Sequence, residues 1–469
     1  MTEHRLKIIF QASFSGQQGG QSAMEREKRA YIFTYGCQMN KHDSERMAGV
    51  LENAGYALTS AVEDADLILI NACCVREKAE QKVYSQLGRL REWKKGRPSG
   101  RIAVGGCMAE LEGERLLARA SHVDLVFGTH QLTNLADILR ELERCGKPLC
   151  AVGGENGDVA EVAAHRESTV WAWVSIMQGC DNFCTYCVVP YARGRERSRP
   201  SDEILRMVRE LAEHGYKEVT LLGQNVNSYG RKSPRELTLA QLLSRLDAIP
   251  GLERIRFVTS HPKDLSDELI QAIRDLPKVC EHIHLPLQSG SDEVLRRMGR
   301  GYTVGWYLDR LDALRTAVPH ISVTTDVMVG FPGESDDGFA ATRRAILAAE
   351  YDNIFLFRYS VRPGTAAAAW GDPVPAKVKQ DRFDELNALQ RKITAKKHEH
   401  LEGEVAEVLV EGPSKSDSRL YTGRTRTNKI SHFTNGGSPP RVGSIVPVYI
   451  DRARLHYLVG HTVPERMGG

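Results

Sequence analysis

Cys180, Cys184 and Cys187 stand at a CxxxCxxC spacing in the run Gly179-Cys180-Asp181-Asn182-Phe183-Cys184-Thr185-Tyr186-Cys187. Soft thiolates this close together suit an iron–sulfur cluster or zinc. A structural zinc site wants a fourth ligand nearby, and His165 and His214 are remote in sequence. Three ligands on a four-iron cluster leave one iron open, and an open iron can chelate amino and carboxylate groups. Cys37, Cys73 and Cys107 form a second set, each just past a short apolar run. Their contexts are Gly36-Cys37-Gln38-Met39-Asn40, Asn71-Ala72-Cys73-Cys74 and Gly105-Gly106-Cys107-Met108. If the runs are parallel strands, their carboxyl ends share one crevice and the three thiols converge there. The bland alternative is three buried core thiols; three strand ends, two of them beside glycine, favour a site. Cys74 is an ambiguous neighbour, and Cys145, Cys150 and Cys280 match no pattern and read as structural.

The elements that must position these thiols follow from periodicity. The runs Tyr31–Tyr35, Leu67–Ile70 and Ile102–Val104 read as strands, and Val75, Ala79, Val83, Leu87 and Leu90 recur at helical steps. This βαβα pattern predicts a doubly wound parallel α/β domain over 30–145, after a Gly-rich flexible tail (1–29) and before a linker (146–165) containing the turn-forming run Gly153–Asp158. Six further runs begin near Trp171, Val219, Ile255, Ile283, Val323 and Ile354, with helical stretches between most of them. They predict a partial (βα)6 barrel within 166–400, with chemistry at the carboxyl ends of its strands and a long polar helix over Lys377–His400. From 401 to 464, short alternating runs broken by Gly and Pro predict a small all-β, OB-like barrel.

Composition excludes whole classes. With 41% hydrophobic and 26% charged residues over 469 positions, the chain has material for more than one core and is not wholly disordered. No apolar run reaches the roughly 18 residues a membrane span needs, so no membrane partner is expected. The net charge of +3 argues against a generic nucleic-acid coat, so any nucleic-acid site is a local basic patch. Cysteine clusters in a chain with an adequate core and no secretory segment point to a reducing cytoplasm.

The CxxxCxxC loop, with Tyr186 before its last cysteine, resembles the signature of the radical S-adenosylmethionine (SAM) superfamily. The order of a three-cysteine α/β domain, this barrel and a β module resembles the methylthiotransferase family from about Tyr31 to Val463. The resemblance implies two [4Fe-4S] clusters, one on Cys180, Cys184 and Cys187 and an auxiliary one on Cys37, Cys73 and Cys107. It also implies SAM as cofactor, a 5′-deoxyadenosyl radical that removes hydrogen, sulfur delivered at the auxiliary cluster, and methyl from a second SAM. Three substrate branches compete. Tyr35–Asn40, Val258-Thr259-Ser260-His261-Pro262, Tyr359–Thr365 and Gly423–Lys429 are similar to the branch acting on C2 of N6-dimethylallyladenosine beside the tRNA anticodon. A threonylcarbamoyladenosine or ribosomal-protein substrate, or a non-catalytic iron–sulfur RNA-binding redox sensor, is the alternative.

Further expectations follow from the resemblance. Tyr186, Gly223, Gln224 and Asn225, Gln288 and Ser289, and Asp326, Gly330 and Gly333 are expected around SAM at strand ends. The alternating Arg193, Arg195, Arg197 and Arg199 include two expected phosphate contacts, Arg193 and Arg195. The β module resembles the TRAM domain, with Arg424, Arg426 and Lys429 expected on RNA and Tyr421 and Phe433 as stacking surfaces. The expected partners are a tRNA carrying N6-dimethylallyladenosine and an electron donor such as flavodoxin or ferredoxin, with the enzyme a monomer.

Overall fold

The computed structural model describes residues 27–74, 77–154, 164–233, 235–415, 417–435 and 439–464. The expected tail up to residue 26, residues 155–163 of the expected linker and Val75 lie outside them. The chain divides into two units, Met1–Glu167 with Val188–Gly194, and Ser168–Cys187 with Arg195–Gly469.

Unit 1 is built on β1 (Lys28–Tyr35), β2 (Tyr56–Leu58), β3 (Leu67–Ala72), β4 (Arg101–Gly105), β5 (Leu125–Phe127) and β6 (Leu149–Ala151). Its helices are α1 (Gln38–Asn53), α2 (Glu77–Gly96), α3 (Cys107–Glu112), α4 (Glu114–Arg119) and α5 (Leu135–Cys145), joined by α6 (Val189–Arg193) from the later segment. The strands pair in parallel in the order β2-β1-β3-β4-β5-β6. Successive residues of a strand face opposite sides, and β3 reads Leu-Ile-Leu-Ile-Asn-Ala with every residue buried. Ile68 and Ile70 pack with Val83, Leu87 and Leu116, while Leu67 and Leu69 pack with Leu51, Leu135 and Leu139. Helices therefore cover both faces, which is why the strand is apolar without alternation. The strand order reverses between β1 and β3, the switch point at which doubly wound sheets open a crevice.

Unit 2 begins with β7 (Trp171–Ser175) and the short pair β8 (Met177–Gln178) and β9 (Arg197–Ser198). Next come β10 (Glu218–Leu222), β11 (Arg254–Phe257), β12 (His282–His284), β13 (Ser322–Val329) and β14 (Asn353–Arg358). The helices are α7 (Ser201–Glu213), α8 (Leu239–Asp247), α9 (Asp267–Asp275), α10 (Asp292–Met298), α11 (Val304–Ala317), α12 (Asp336–Ala349) and α13 (Ala376–Glu399). Thr238, Ser266, Ser291, Thr303 and Ser335 start five of these helices, each side chain accepting a backbone N–H of the first turn. All six expected barrel strands are present. They form two parallel ladders, β7-β10-β11 and β12-β13-β14. Between β11 and β12 the join is thinner, one bridge at Ile255–Val279 and the Ser260 N–H donating to the His284 carbonyl at 3.3 Å. Among the described residues no helix is long and apolar enough to cross a membrane.

The C-terminal module is a closed barrel of β15 (Val405–Pro413), β16 (Tyr421–Thr425), β17 (Ile430–Thr434), β18 (Ile445–Ala453) and β19 (Leu458–Thr462) in the order β15-β16-β17-β19-β18. Its core is Val408, Val410, Phe433, Val448, Ile450 and Leu458. Two arginines of β11 hold it within unit 2. Arg254, fully buried, donates to the Arg424 carbonyl at 2.6 Å and to Glu407 Oε1 at 2.9 Å. Arg256 donates to the carbonyls of Arg426 and Thr425, both at 2.7 Å, and pairs with buried Glu218 at 2.9 Å.

Candidate active site

In unit 1, Cys37, Cys73 and Cys107 lie just past the carboxyl ends of the neighbouring parallel strands β1, β3 and β4. Cys37 caps the start of α1, Cys73 follows β3 with its N–H on the Tyr35 carbonyl at 2.9 Å, and Cys107 opens α3. Two glycines make the close approach possible. A Cβ on Gly36 would stand 2.6 Å from the Cys73 Cβ. One on Gly106, whose φ is +92°, would stand 2.5 Å from Asn71 Oδ1. Behind the thiols lies a fully buried amide ladder that sequence reading missed. Asn40 Nδ2 donates to Asn71 Oδ1 at 3.0 Å, and Asn71 Nδ2 donates to the Asn40 carbonyl at 2.7 Å. Cys37 Sγ, as a thiol, donates to Asn40 Oδ1 at 3.3 Å.

The thiols differ in their protonation. A hydrogen bond from Cys73 pulls Cys37 down to about 6 against the effect of burial, with help from the charge of Arg193 and the N–H groups of Asn40 and Met39. Cys107 is lowered by a hydrogen bond from Cys74, and Cys74, which gives that bond and is buried, is held well above the ordinary thiol range. Cys74 is thus a direct neighbour of the site. Among the described residues no three His, Cys, Asp or Glu side chains close on one point at single-ion distance. A four-iron cluster takes one thiolate per iron, so its sulfur ligands stand farther apart than those of a single ion. Paired thiols, a buried cation and glycine clearance fit such a group.

In unit 2 the cysteines lie in one loop, with Cys180 and Cys184 buried. Gly179 N–H donates to Gln224 Oε1 at 2.6 Å and Asn182 Nδ2 donates to Cys180 Sγ at 3.4 Å. The Thr185 N–H and hydroxyl donate to the carbonyls of Met298 and Arg297, at 3.0 and 2.8 Å, strapping the loop to the end of α10. Arg300, only 5% exposed, donates to Cys184 Sγ at 3.5 Å and to the Pro286 carbonyl at 3.0 Å. Burial pushes the Cys180 thiol up to about 11. Three soft thiols with an amide and a guanidinium directed at their sulfurs fit an iron–sulfur cluster. Nothing local in the sequence singled out Arg300.

The expected SAM residues lie on the carboxyl-end rim of this barrel. Gly223 follows β10, and a Cβ there would stand 2.4 Å from Met177 Cγ. Asn225 is buried; its Nδ2 donates to Asp264 Oδ2 at 2.8 Å, while its Oδ1 has no hydrogen-bond partner among the described residues. Gln288 sits at φ +71°, a strained backbone for a non-glycine residue. Its N–H donates to the Asp326 carbonyl at 2.8 Å, and its own carbonyl accepts from Met328 at 2.9 Å. The Ser289 hydroxyl meets Thr342 Oγ1 at 3.3 Å. Asp326 stands 3.5 Å from His284 Nε2. Gly330 (φ +73°) donates to Glu334 Oε2 at 2.6 Å, and Gly333 has φ +92°. Tyr186 packs edge-on to Phe331 with ring centroids 6.2 Å apart. His261, which the sequence offered only within its motif, is buried on the same rim, its Nε2 without a hydrogen-bond partner among the described residues, and burial drives its pKa down to about 2, so the ring is neutral.

The basic residues divide. Arg193 does not face solvent: it is 5% exposed and its Nη2 donates to Asp43 Oδ2 at 2.6 Å, so it is corrected from a phosphate contact to an internal charge of unit 1. Arg195 remains exposed, paired with Asp181 at 2.8 Å and lying over the Phe183 ring. Arg424 binds Glu411 Oε1 at 3.2 Å and Asn428 Oδ1 at 3.1 Å. Arg426 grips Glu281 through Nε at 2.8 Å and Nη2 at 2.7 Å, and Lys429 pairs with Asp352 at 3.0 Å, so both turn toward the larger barrel. Phe433 is fully buried and is corrected from a stacking surface to a core residue.

Residues 29–128 match the family model described as uncharacterized protein family UPF0004, 174–346 the radical SAM superfamily and 399–463 the TRAM domain. Two solved structures share the fold. The cobalamin-dependent S-adenosylmethionine radical enzyme OxsB aligns at TM-score 0.50 and 13% identity over 77% of this chain and 56% of its own. The radical S-adenosylmethionine methyltransferase TsrM from Kitasatospora setae aligns at 0.51 and 11% over 73% and 74%. Fold and site together define a radical SAM enzyme with a C-terminal TRAM module. The chain is similar to the tRNA-2-methylthio-N(6)-dimethylallyladenosine synthase of Syntrophus aciditrophicus (strain SB), 47% identical over 94% of this chain and 96% of that one. It is also similar to the synthase of the same name from Carboxydothermus hydrogenoformans, 46% identical over 92% and 99%. The chain belongs to this family of tRNA methylthiotransferases, and membership in the radical SAM superfamily implies SAM and a [4Fe-4S] cluster.

Proposed function

We propose that this chain methylthiolates C2 of N6-dimethylallyladenosine next to the anticodon of tRNA, in the cytoplasm, as a monomer supplied with electrons by a flavodoxin or ferredoxin. The observation that carries the reading is the alignment of relatives of that name over nearly the whole length, supported by two separate sets of three cysteines in one chain. When bound, a [4Fe-4S] cluster on Cys180, Cys184 and Cys187 supplies the 5′-deoxyadenosyl radical from SAM, a second on Cys37, Cys73 and Cys107 supplies sulfur, and another SAM supplies methyl. The chain's own residues do the rest. Arg300 and Asn182 direct donors at the loop sulfurs, and the α10 carbonyls fix the loop. The rim residues Tyr186, Gly223, Gln224, Asn225, Gln288, Ser289, Asp326, Gly330 and Gly333 form the SAM seat. The buried Asn225 Oδ1, which has no hydrogen-bond partner among the described residues, supports this. Arg195 and Arg424, each partly exposed, are the RNA contacts we favour. The segments 30–145, 166–400 and 401–464 divide this labour. Nucleoside mass spectrometry of tRNA from a deletion strain tests the reading. The 2-methylthio nucleoside should vanish and N6-dimethylallyladenosine accumulate; an unchanged profile overturns the assignment.

A further inference from the structure

A buried ion pair has to offset the desolvation of both charges, which makes it a poor device for mere stability. Unit 1 holds one beside its thiols. Arg193 and Asp43 are each at most 5% exposed and meet at 2.6 Å. Asp43 lies on α1, one turn beyond Asn40, which accepts from Cys37 Sγ. Arg193 ends α6, whose flanking Val188 and internal Ala192 pack in the same core face as Cys74, Cys107, Met108 and Ala109. Gly194, at φ +75°, then turns the chain out of the unit. The helix that Cys107 opens, α3, packs directly against the helix that Arg193 ends, α6.

We propose that the Arg193–Asp43 pair is the charge-setting device of the three-thiol site of unit 1. Arg193 is a positioning residue that favours the more negative, one-electron-reduced form of the cluster held there and so sets its reduction potential. This rests on the reading that Cys37, Cys73 and Cys107 hold an iron–sulfur cluster. Reduction adds one electron from a low-potential donor, and a fixed cation nearby stabilises the added charge, most strongly where water is excluded. Asp43 both orients the guanidinium and dilutes its field.

The test uses the full-length chain with Cys180, Cys184 and Cys187 all replaced by Ala, reconstituted without oxygen, so that iron reports on unit 1 alone. Iron content and the midpoint of a dithionite titration followed by electron paramagnetic resonance are measured for that background and for Arg193→Gln, Arg193→Lys and Asp43→Asn in it. Arg193→Gln should move the midpoint to more negative values, Arg193→Lys should restore most of the shift, and Asp43→Asn should move it the opposite way. A packing role predicts no reversal of sign, so coincident midpoints for Arg193→Gln and Asp43→Asn overturn the proposal. If Arg193→Gln loses its iron, the direction of the Asp43→Asn shift decides alone, a positive shift upholding the proposal and an unmoved midpoint overturning it. A background chain that takes up no iron overturns the auxiliary-cluster reading itself, and the inference with it.

Discussion

In unit 1 three thiols stand past three strand ends far apart in sequence, on strands that the sheet order makes neighbours. In unit 2 three thiols come from one loop, and the surrounding fold only braces them. The first site is made by topology, the second by spacing. Their electrostatics differ as well. In unit 1 thiols hydrogen-bond one another and two are shifted toward thiolate, whereas in unit 2 the Cys180 thiol is pushed up by burial. A site made by topology is sensitive to any change in how strands close on one another. A site made by spacing should survive small shifts of the sheet beneath it.

The largest expected effect separates the two sites outright. Cys187→Ala should abolish formation of 5′-deoxyadenosine from SAM under anaerobic reduction, while Cys107→Ala should retain it and lose the methylthiolated product. Loss of both activities in Cys107→Ala would show that the sites are not separable.

Next in size is Arg256→Ala, which strands buried Glu218 and the two carbonyls of β16 and its turn. Removing one partner of a buried pair costs about 3–5 kcal/mol. A thermal unfolding midpoint within a degree of the parent would contradict that role.

Gly106→Ala sharpens the contrast further. The added Cβ meets Asn71 Oδ1 at a backbone angle that disfavours side chains, a penalty of about 3 kcal/mol. Iron bound by unit 1 should fall while SAM cleavage persists. Equal loss at both sites would argue against a topological origin of the first.

The smallest effect is one of pH. Burial acts to raise the Asp352 carboxyl, but Lys429 and Lys397 outweigh it and hold it at about 2, below its ordinary 3.8. The folded state therefore binds fewer protons than the unfolded chain in that window. Stability from this group is present above about pH 4 and is lost as pH falls toward 2, on the order of 2 kcal/mol. Lys429→Met should flatten that acid limb in denaturation measured across pH.

Much of this was legible in sequence, for physical reasons. The barrel strands show themselves by short apolar centres, although β11 (Arg-Ile-Arg-Phe) and β12 (His-Ile-His) alternate these with polar residues, and the loop cysteines carry their signature in spacing. The placement of Cys37, Cys73 and Cys107 just past β1, β3 and β4 was readable because each follows a short apolar run. Arg193 was not. In an alternating arginine run every member looks solvated, yet Arg193, at the end of α6, and Arg199 are both buried. Arg426 and Lys429 misled for a related reason, since their partners Glu281 and Asp352 are more than seventy positions away. Phe433 carried a usable signal in its strand. It alternates with Ser431, which is also buried, and so marks the inward face of β17.

The grip of Arg254 and Arg256 on the small barrel bears on how the chain can be dissected. Cutting before residue 401 would leave both guanidinium groups without the carbonyls that now receive them, on a face shaped to be covered. Such a fragment would fail for reasons unrelated to RNA, through aggregation or lost heat tolerance. A missing activity in it would then say little about whether the removed part touches nucleic acid.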